Sequence, residues 1–371
     1  MSLPKTTPAW VIQGTNPETP GWGNLKLVED YPVPELGEND CLVQIQAVSL
    51  NYRDLVIPKV KAHRYNYRTP KLRHNVQGQY PLPLNLPCVA ASDGAGKILA
   101  VGSKVTQFEE GDKVVTQFTQ AHQYGPVTAE MMNTTLGGTQ HGCLRKYAVF
   151  PASGLVHAPS NLTPTEAGTL TCAPLTSWNA LYGLVSKALK PGEVVLTQGT
   201  GGVSLAAIQF AKAAGATVIA TTSSDEKAKR LEKLGADIVL NYKKDPNWGE
   251  TAKSLSPGKA GVDHIIEVGG PGTMAQSLKA IKLEGVISVI GFLGGFKAED
   301  DPSTLAALSA GCIIRGILIG SKAQLIDMGR AIDANNIHPV VDEKTFSFKD
   351  APEAYEYQWQ QKNFGKVVIQ L

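Results

Sequence analysis

No Cys-x-x-Cys pair occurs in the 371 residues, and the five cysteines (Cys41, Cys88, Cys143, Cys172 and Cys312) are odd in number and widely scattered. This excludes a disulfide framework and a cysteine-rich structural zinc knot. No apolar run approaches the ~20 residues of a membrane span. The opening MSLPKTTPAW has no apolar core of the kind a secretory signal needs. An excess of one charge is missing too. The formal net charge of +2 favours neither a nucleic-acid partner nor an anionic membrane surface. The expectation is a reduced, soluble, cytoplasmic protein. What is present is a large apolar share, 43% against 18% charged residues, enough for a sizeable core. The length suits two domains of the usual ~100–200 residues.

From about residue 190 the pattern is regular. Apolar, often β-branched runs recur at Val194–Gln198, Thr217–Thr221, Ile238–Leu240, Val262–Glu267, Val286–Ile290 and Ile313–Ile319. Helical segments lie between them at Val203–Ala214, Asp225–Leu234 and Thr273–Ile281. The runs are continuously apolar, as strands buried on both faces should be. Strand and helix in turn predict an α/β fold with a doubly wound, parallel, six-stranded sheet. Before residue 160, short β-like pieces at Cys41–Val48, Lys97–Val101, Lys113–Phe118 and Leu144–Val149 alternate with Pro and Gly clusters. These predict a small, irregular all-β domain. After residue 335 strand-like sequence returns, with one helix near Ala351–Gln360, and the tail is expected to complete the first domain. The expected division is 1–160, 161–321 and a return over 322–371.

Lys59–Gln77, KVKAHRYNYRTPKLRHNVQ, holds six Lys/Arg, two His and no acid, and without it the chain is net acidic. It reads either as a solvated loop or as an electropositive flap that steers an anionic substrate.

The stretch VLTQGTGGVSLAAIQFAK, Val195–Lys212, sets Gly199, Thr200, Gly201, Gly202 and Val203 between a strand and a helix. Glycines there permit a tight turn and let the backbone approach a pyrophosphate, whose charge meets the positive end of the helix dipole. The dinucleotide fingerprint is imperfect, since Ser204 replaces its last glycine. GVSLA also resembles a nucleophile elbow, but that motif puts its serine at the tip of the turn directly after the strand. Here the intervening residues place Ser204 in the first helical turn. An Asp or Glu at the end of the next strand would select NAD through the ribose 2′-hydroxyl. This chain has Thr221, Thr222, Ser223 and Ser224 instead, with Asp225 expected as a helix N-cap. Ser223, Ser224, Lys227 and Tyr242 are candidates to hold a 2′-phosphate, which favours NADPH.

Taken together, SLNYRDL (Ser49–Leu55), SDGAGKILAVG (Ser92–Gly102), EEGDKVV (Glu109–Val115), the glycine turn with TTSSDEK, LGAD (Leu234–Asp237), IEVGGPGT (Ile266–Thr273), VIGFLGG (Val289–Gly295) and NFGKVVI resemble the medium-chain dehydrogenase/reductase superfamily over nearly the whole chain. The resemblance implies a GroES-like β-rich catalytic domain and a Rossmann domain, with the nicotinamide site between them. Zinc alcohol dehydrogenases carry a cysteine where this chain has Asn51 and a GHE motif where it has Ala91, Ser92 and Asp93; only the third ligand, Cys172, matches. One soft ligand of three does not hold zinc, and Gln120–Thr139 lacks the four cysteines of the structural lobe, so no metal is expected.

The zinc-free members it is similar to are quinone oxidoreductases and enone or enoyl reductases. By that resemblance Asn51 lies near the nicotinamide ribose and Thr176 beside the ring. Phe292 and Leu293 flank the ring, Lys366 approaches the cofactor phosphates, and Asp54 anchors its loop. Tyr80 in GQYP is the first candidate proton donor and Tyr52 the second, with plain packing the alternative for each. The expected activity is NADPH-dependent reduction of an enone or quinone by a homodimer paired through 313–319. The alternatives are an alcohol/aldehyde or ketone reductase and a cofactor-binding protein without turnover.

Overall fold

The computed structural model describes residues 3–16, 18–59, 83–293, 302–303 and 305–371. Two compact units form, Met1–Cys172 with Ser321–Leu371, and Ala173–Gly320. The first thus keeps residues 161–172, which the sequence pattern assigns to the second domain, and it takes back the C-terminal tail.

In the first unit, Asp40–Ser49 is the organising strand. It pairs antiparallel with Asp93–Val101, with Tyr147–Pro151 and with the returning Val368–Gln370. Lys113–Thr116 and Leu155–His157 extend the sheet beyond Asp93–Val101. A smaller sheet of Leu25–Pro32, Thr6–Ile12 and Cys88–Val89, unforeseen from the sequence, packs beside it. The core between them includes Trp10, Ile45, Leu55, Ile98 and the buried Tyr355 of the C-terminal helix Ala351–Trp359.

In the second unit six parallel strands lie in the order Ile238–Asn241, Thr217–Thr222, Val194–Gln198, Val262–Glu267, Ile281–Val289, Ile313–Gly316. Both central strands are buried along their whole length, Asp263, His264 and Glu267 of Val262–Glu267 included. The order of connection reverses between Val194–Gln198 and Val262–Glu267, and ligands of such sheets bind at the carboxyl ends of the strands there. Helix Trp248–Leu255 has no counterpart in the expected pattern, and strand Ile281–Val289 starts earlier than expected. The last strand is shorter than expected, ending at Gly316. Beyond it Ile319 takes a left-handed φ of 55° and its carbonyl accepts from Asn179 Nδ2 at 2.6 Å.

Candidate functional site

In the second unit the turn after Val194–Gln198 holds Gly199 at φ 72°, a conformation that costs a side-chain-bearing residue ~1–2 kcal/mol. Its N–H donates to Thr221 O at 2.8 Å, which fixes the turn to the neighbouring strand. Gly201 is the N-cap of helix Gly202–Ala213 and offers no capping side chain. A Cβ at Gly199 or Gly201 would meet nothing within 4 Å. The turn therefore presents open space over a helix N-terminus whose first N–H groups no capping side chain satisfies, which fits a pyrophosphate. Ser204 is buried in the first helical turn and donates to Gln198 O at 2.6 Å, so its hydroxyl braces the turn and is no exposed nucleophile. Thr176 is buried on helix Ala173–Tyr182.

At the end of Thr217–Thr222, Thr221 and Thr222 are buried. The helix N-cap is Ser224, one place before the expected Asp225; it accepts from Lys227 N at 3.4 Å, and Asp225 is the first helical residue. Asp225 is held by Asn241 Nδ2 at 2.7 Å and Lys244 Nζ at 2.5 Å; these bonds, that to Lys244 first, keep its carboxyl below the ordinary range. Tyr242 is exposed next to these residues in sequence, following strand Ile238–Asn241.

Beneath the turn lies a group that motif matching missed. Glu267 is fully buried at the end of its strand. Its Oε1 accepts from Gly269 N (2.9 Å), Gly270 N (2.9 Å) and Thr273 Oγ1 (2.5 Å), and its Oε2 from Gln198 Nε2 (2.7 Å) and Ser277 Oγ (2.5 Å). Gln198 Oε1 in turn accepts from Val268 N at 3.1 Å and Gly269 N at 3.2 Å. The signal in the sequence is a carboxylate at the last position of a strand, directly before Val268, Gly269 and Gly270.

In the first unit four segments converge. Asn51 caps the short helix Tyr52–Val56, and its N–H donates to Asp54 Oδ2 at 2.8 Å. Asp54 also accepts from Arg53 Nη1 at 3.1 Å, and Arg53 reaches the carbonyls of Leu136 and Gly137, so Asp54 does anchor this loop. Ser92 Oγ donates to Asp93 Oδ1 at 2.7 Å, and Cys172 N to Asp93 Oδ2 at 3.3 Å. Lys366, expected at the cofactor phosphates, turns its ammonium inward and is only 5% exposed. Nζ donates to Leu50 O at 2.8 Å and Asn51 Oδ1 at 2.5 Å, and lies 3.6 Å from Asp93 Oδ2. The Asn51 side chain is buried against Asp93 and, donating toward that carboxylate, helps to hold it down.

Burial raises the Asp93 carboxyl above its ordinary range, with Lys366 pulling it back. Burial raises Asp54 likewise against Arg53. The Cys172 thiol is pushed up by burial and then by Asp93, which disfavours the thiolate a metal needs. This donor set does not fit zinc. It offers one thiol held protonated, one hydroxyl bonded to a carboxylate, and one amide whose oxygen faces an ammonium. Among the described residues no group of three His, Cys, Asp or Glu could hold a metal.

Tyr52 is partly exposed, and burial of the rest raises its phenol. Phe292 is half-buried and Leu293 exposed, the latter with its N–H bonded to Val268 O at 3.1 Å. Tyr80 and all of Lys59–Gln77 except Lys59 lie outside the described residues. Lys59 Nζ stands 4.1 Å from the Trp22 ring centroid and 4.5 Å from that of Trp359.

A parallel sheet with this strand order and an open glycine turn at its switch point is the arrangement of a dinucleotide-binding domain. Comparison with known proteins agrees. The alcohol dehydrogenase GroES-like domain matches residues 37–160 and the zinc-binding dehydrogenase domain residues 202–334. A zinc-type alcohol dehydrogenase-like protein of Schizosaccharomyces pombe is 46% identical over 357 residues, 95% of this chain and 97% of its own. An acryloyl-coenzyme A reductase of Sulfurisphaera tokodaii is 28% identical, over 92% and 95% of the two chains. A crystal structure of an NAD-dependent alcohol dehydrogenase superposes with a TM-score of 0.80 at 30% identity, covering 98% of this chain and 99% of that one. The chain belongs to the medium-chain dehydrogenase/reductase superfamily, as an alcohol dehydrogenase-like oxidoreductase. Among the described residues no helix is long and apolar enough to cross a membrane.

Proposed function

We propose that this protein is an NADPH-dependent, zinc-independent oxidoreductase that delivers hydride to a polarised C=C bond or a quinone. The observation that carries the reading is the Lys366 ammonium bonded to Asn51 within the set of residues at the family's zinc-ligand positions. Bound nicotinamide supplies the hydride. Without a Lewis acid a simple ketone oxygen has no strong stabiliser. In an enone the developing charge spreads to a remote oxygen, where a hydrogen-bond donor and one proton suffice. Tyr52 suits that role, because its raised phenol keeps the proton at neutral pH; Tyr80 is the other proposed donor. Asn51, Thr176, Phe292 and Leu293 are the proposed nicotinamide neighbours. The similarity to an acryloyl-coenzyme A reductase supports a conjugated substrate.

For the cofactor, the end of strand Thr217–Thr222 offers hydroxyls and Lys227, and the nearby Asp225 carboxylate is engaged by Asn241 and Lys244. Ser224 accepts a backbone N–H, which leaves its own O–H to donate to a 2′-phosphate. Ser223 and Tyr242 complete the proposed pocket. Strand Ile313–Gly316 is an edge, with Ile314 in it exposed at 41% and Leu318 just beyond it at 49%, and a second copy pairing there gives the proposed homodimer. Five free cysteines suit a cytoplasmic setting.

The test follows NADPH and NADH oxidation with a quinone, an enone and an aldehyde, with and without chelator. Enone or quinone turnover preferring NADPH and indifferent to chelator is expected. Chelator-sensitive aldehyde turnover would sink the zinc-free reading, NADH preference the cofactor reading, and binding without turnover would favour a sensor.

A further inference from the structure

We infer that Glu267, working with Gln198, is the positioning residue of the dinucleotide site. The Glu267 side chain and its backbone carbonyl together reach the three turns that shape the site. The inference rests on reading the Gly199–Gly202 turn as the pyrophosphate site.

Gln198 and Glu267 end the two central strands, at the point where the order of connection reverses. Gln198 is the residue before the glycine turn, and its carbonyl receives Ser204 from the helix that follows. Glu267 holds the second turn by accepting from Gly269 N, Gly270 N and Thr273 Oγ1. The third turn hangs from the backbone carbonyls of Glu267 and its neighbour Val268. Ile290 N and Gly291 N donate to Glu267 O at 2.9 and 3.3 Å, and Leu293 N to Val268 O at 3.1 Å. That third turn carries Phe292 and Leu293.

The packing leaves no slack. A Cβ at Gly269 would collide with the Thr273 side chain, and one at Gly291 would press on Val268 O. Gly270 sits at φ 76° and ψ −141°, a region open to glycine.

The hydrogen bonds have a fixed polarity. Five donors converge on the Glu267 carboxylate, and Gln198 supplies one of them with its amide nitrogen. Glu267→Gln keeps the shape but not this polarity. With its nitrogen in the Oε2 place the new amide faces Gln198 Nε2; in the Oε1 place it faces two backbone N–H groups. Rotating Gln198 does not help, because its nitrogen would then face Val268 N and Gly269 N. Exchanging the two residues does help. In Gln198→Glu with Glu267→Gln, residue 267 donates to the carboxylate at 198, and every backbone N–H keeps an oxygen.

The experiment measures NADPH and NADH dissociation constants by isothermal titration for the full chain and three variants. Glu267→Gln is expected to weaken the preferred dinucleotide ~10–100-fold, as for a buried donor left facing a donor. The exchanged pair is expected to return to within ~3-fold of the native value, and Thr273→Val to lose ~3–10-fold. A purely structural role would lower the melting temperature of unliganded Glu267→Gln and leave the affinity of its folded fraction at the native value. If Glu267→Gln does not fold, the exchanged pair and Thr273→Val decide. Native affinity in Glu267→Gln or in Thr273→Val, or an exchanged pair that binds no better than the single variant, overturns the inference. If the native chain binds neither dinucleotide, the reading of the glycine turn falls and this inference falls with it; native binding with unaltered variants removes the inference alone.

Discussion

Each unit buries a carboxylate at its candidate site, and the two are accommodated differently. Asp93 has a hydroxyl, one long backbone N–H, the Asn51 side chain and a cation, the Lys366 ammonium at 3.6 Å. Glu267 has no cation among its described hydrogen-bond donors and instead receives five neutral donors at 2.5–2.9 Å. A buried charge needs either an opposite charge or enough oriented dipoles. The first arrangement brings a long-stemmed side chain from the C-terminal return. The second is built from local backbone and short side chains. The first unit thus depends on a distant segment for its electrostatics, while the second is nearly self-sufficient within its own strand ends.

Removing the cation gives the largest expected effect. Lys366→Met leaves Asp93 buried with no counter-charge, which should cost ~3–5 kcal/mol in denaturant unfolding. Lys366→Met with Asp93→Asn should recover most of that loss, because the charge that needed the cation has gone. Equal losses in the single and double variants would break the comparison. The corresponding change in the second unit is smaller. Ser277→Ala removes one of five donors from Glu267 and should cost about 1.5–3 kcal/mol, measured the same way.

Titration sharpens the contrast. The folded Asp93 carboxyl is raised by burial, so between its ordinary pKa and its folded one the native state binds the proton more tightly than the unfolded chain. That contribution to stability is complete at pH below about 3.9 and is lost as pH rises through the folded value, with a slope of at most ~1.4 kcal/mol per pH unit. Asp54, raised for the same reason, adds a contribution of the same sign. Asp93→Asn should flatten the acid limb of unfolding midpoint against pH. An unchanged profile would mean that Asp93 stays ionised throughout, fully matched by Lys366.

The same contrast explains what could be read from the sequence. The sheet of the second unit was legible because strands buried on both faces are rich in apolar, β-branched residues, and two of them, Val194–Gln198 and Val262–Glu267, have the expected bounds. Ends were harder. Ile317–Ile319 is as apolar as the strand before it, yet the strand stops at Gly316, and no apolar count marks that end. The start of Ile281–Val289 was hidden by Lys282 and Glu284, polar residues inside a strand. In the first unit the pairing of Thr6–Ile12 with Leu25–Pro32 joins separate segments without a periodic signal. The glycine turn and Cys172, Asn51 and Ser92 were visible as motif positions. The Lys366–Asp93 pair was not, since its two ends lie in different motifs and nothing local links them.

The smallest effects concern the backbone, where the two units adopt the same strained conformation with different residues. Gly199 of the second unit has φ 72° and Ala91 of the first has φ 62°. Gly199→Ala should cost ~1–2 kcal/mol, since a Cβ there finds open space and only the backbone term remains. Ala91→Gly is the converse. It relieves a left-handed alanine worth ~1–2 kcal/mol of strain, while the freer unfolded chain takes back ~0.5–1 kcal/mol. The net expectation is a gain of about 0.5–1 kcal/mol, read as a small rise in melting temperature. The backbone of Ala91 is clasped by Gly137 and Gly142, whose missing side chains let the loops approach it, so its conformation is held from outside. A loss of stability on Ala91→Gly would mean that the alanine methyl packs usefully, and that the first unit keeps its strained residue for contact where the second uses glycine for access.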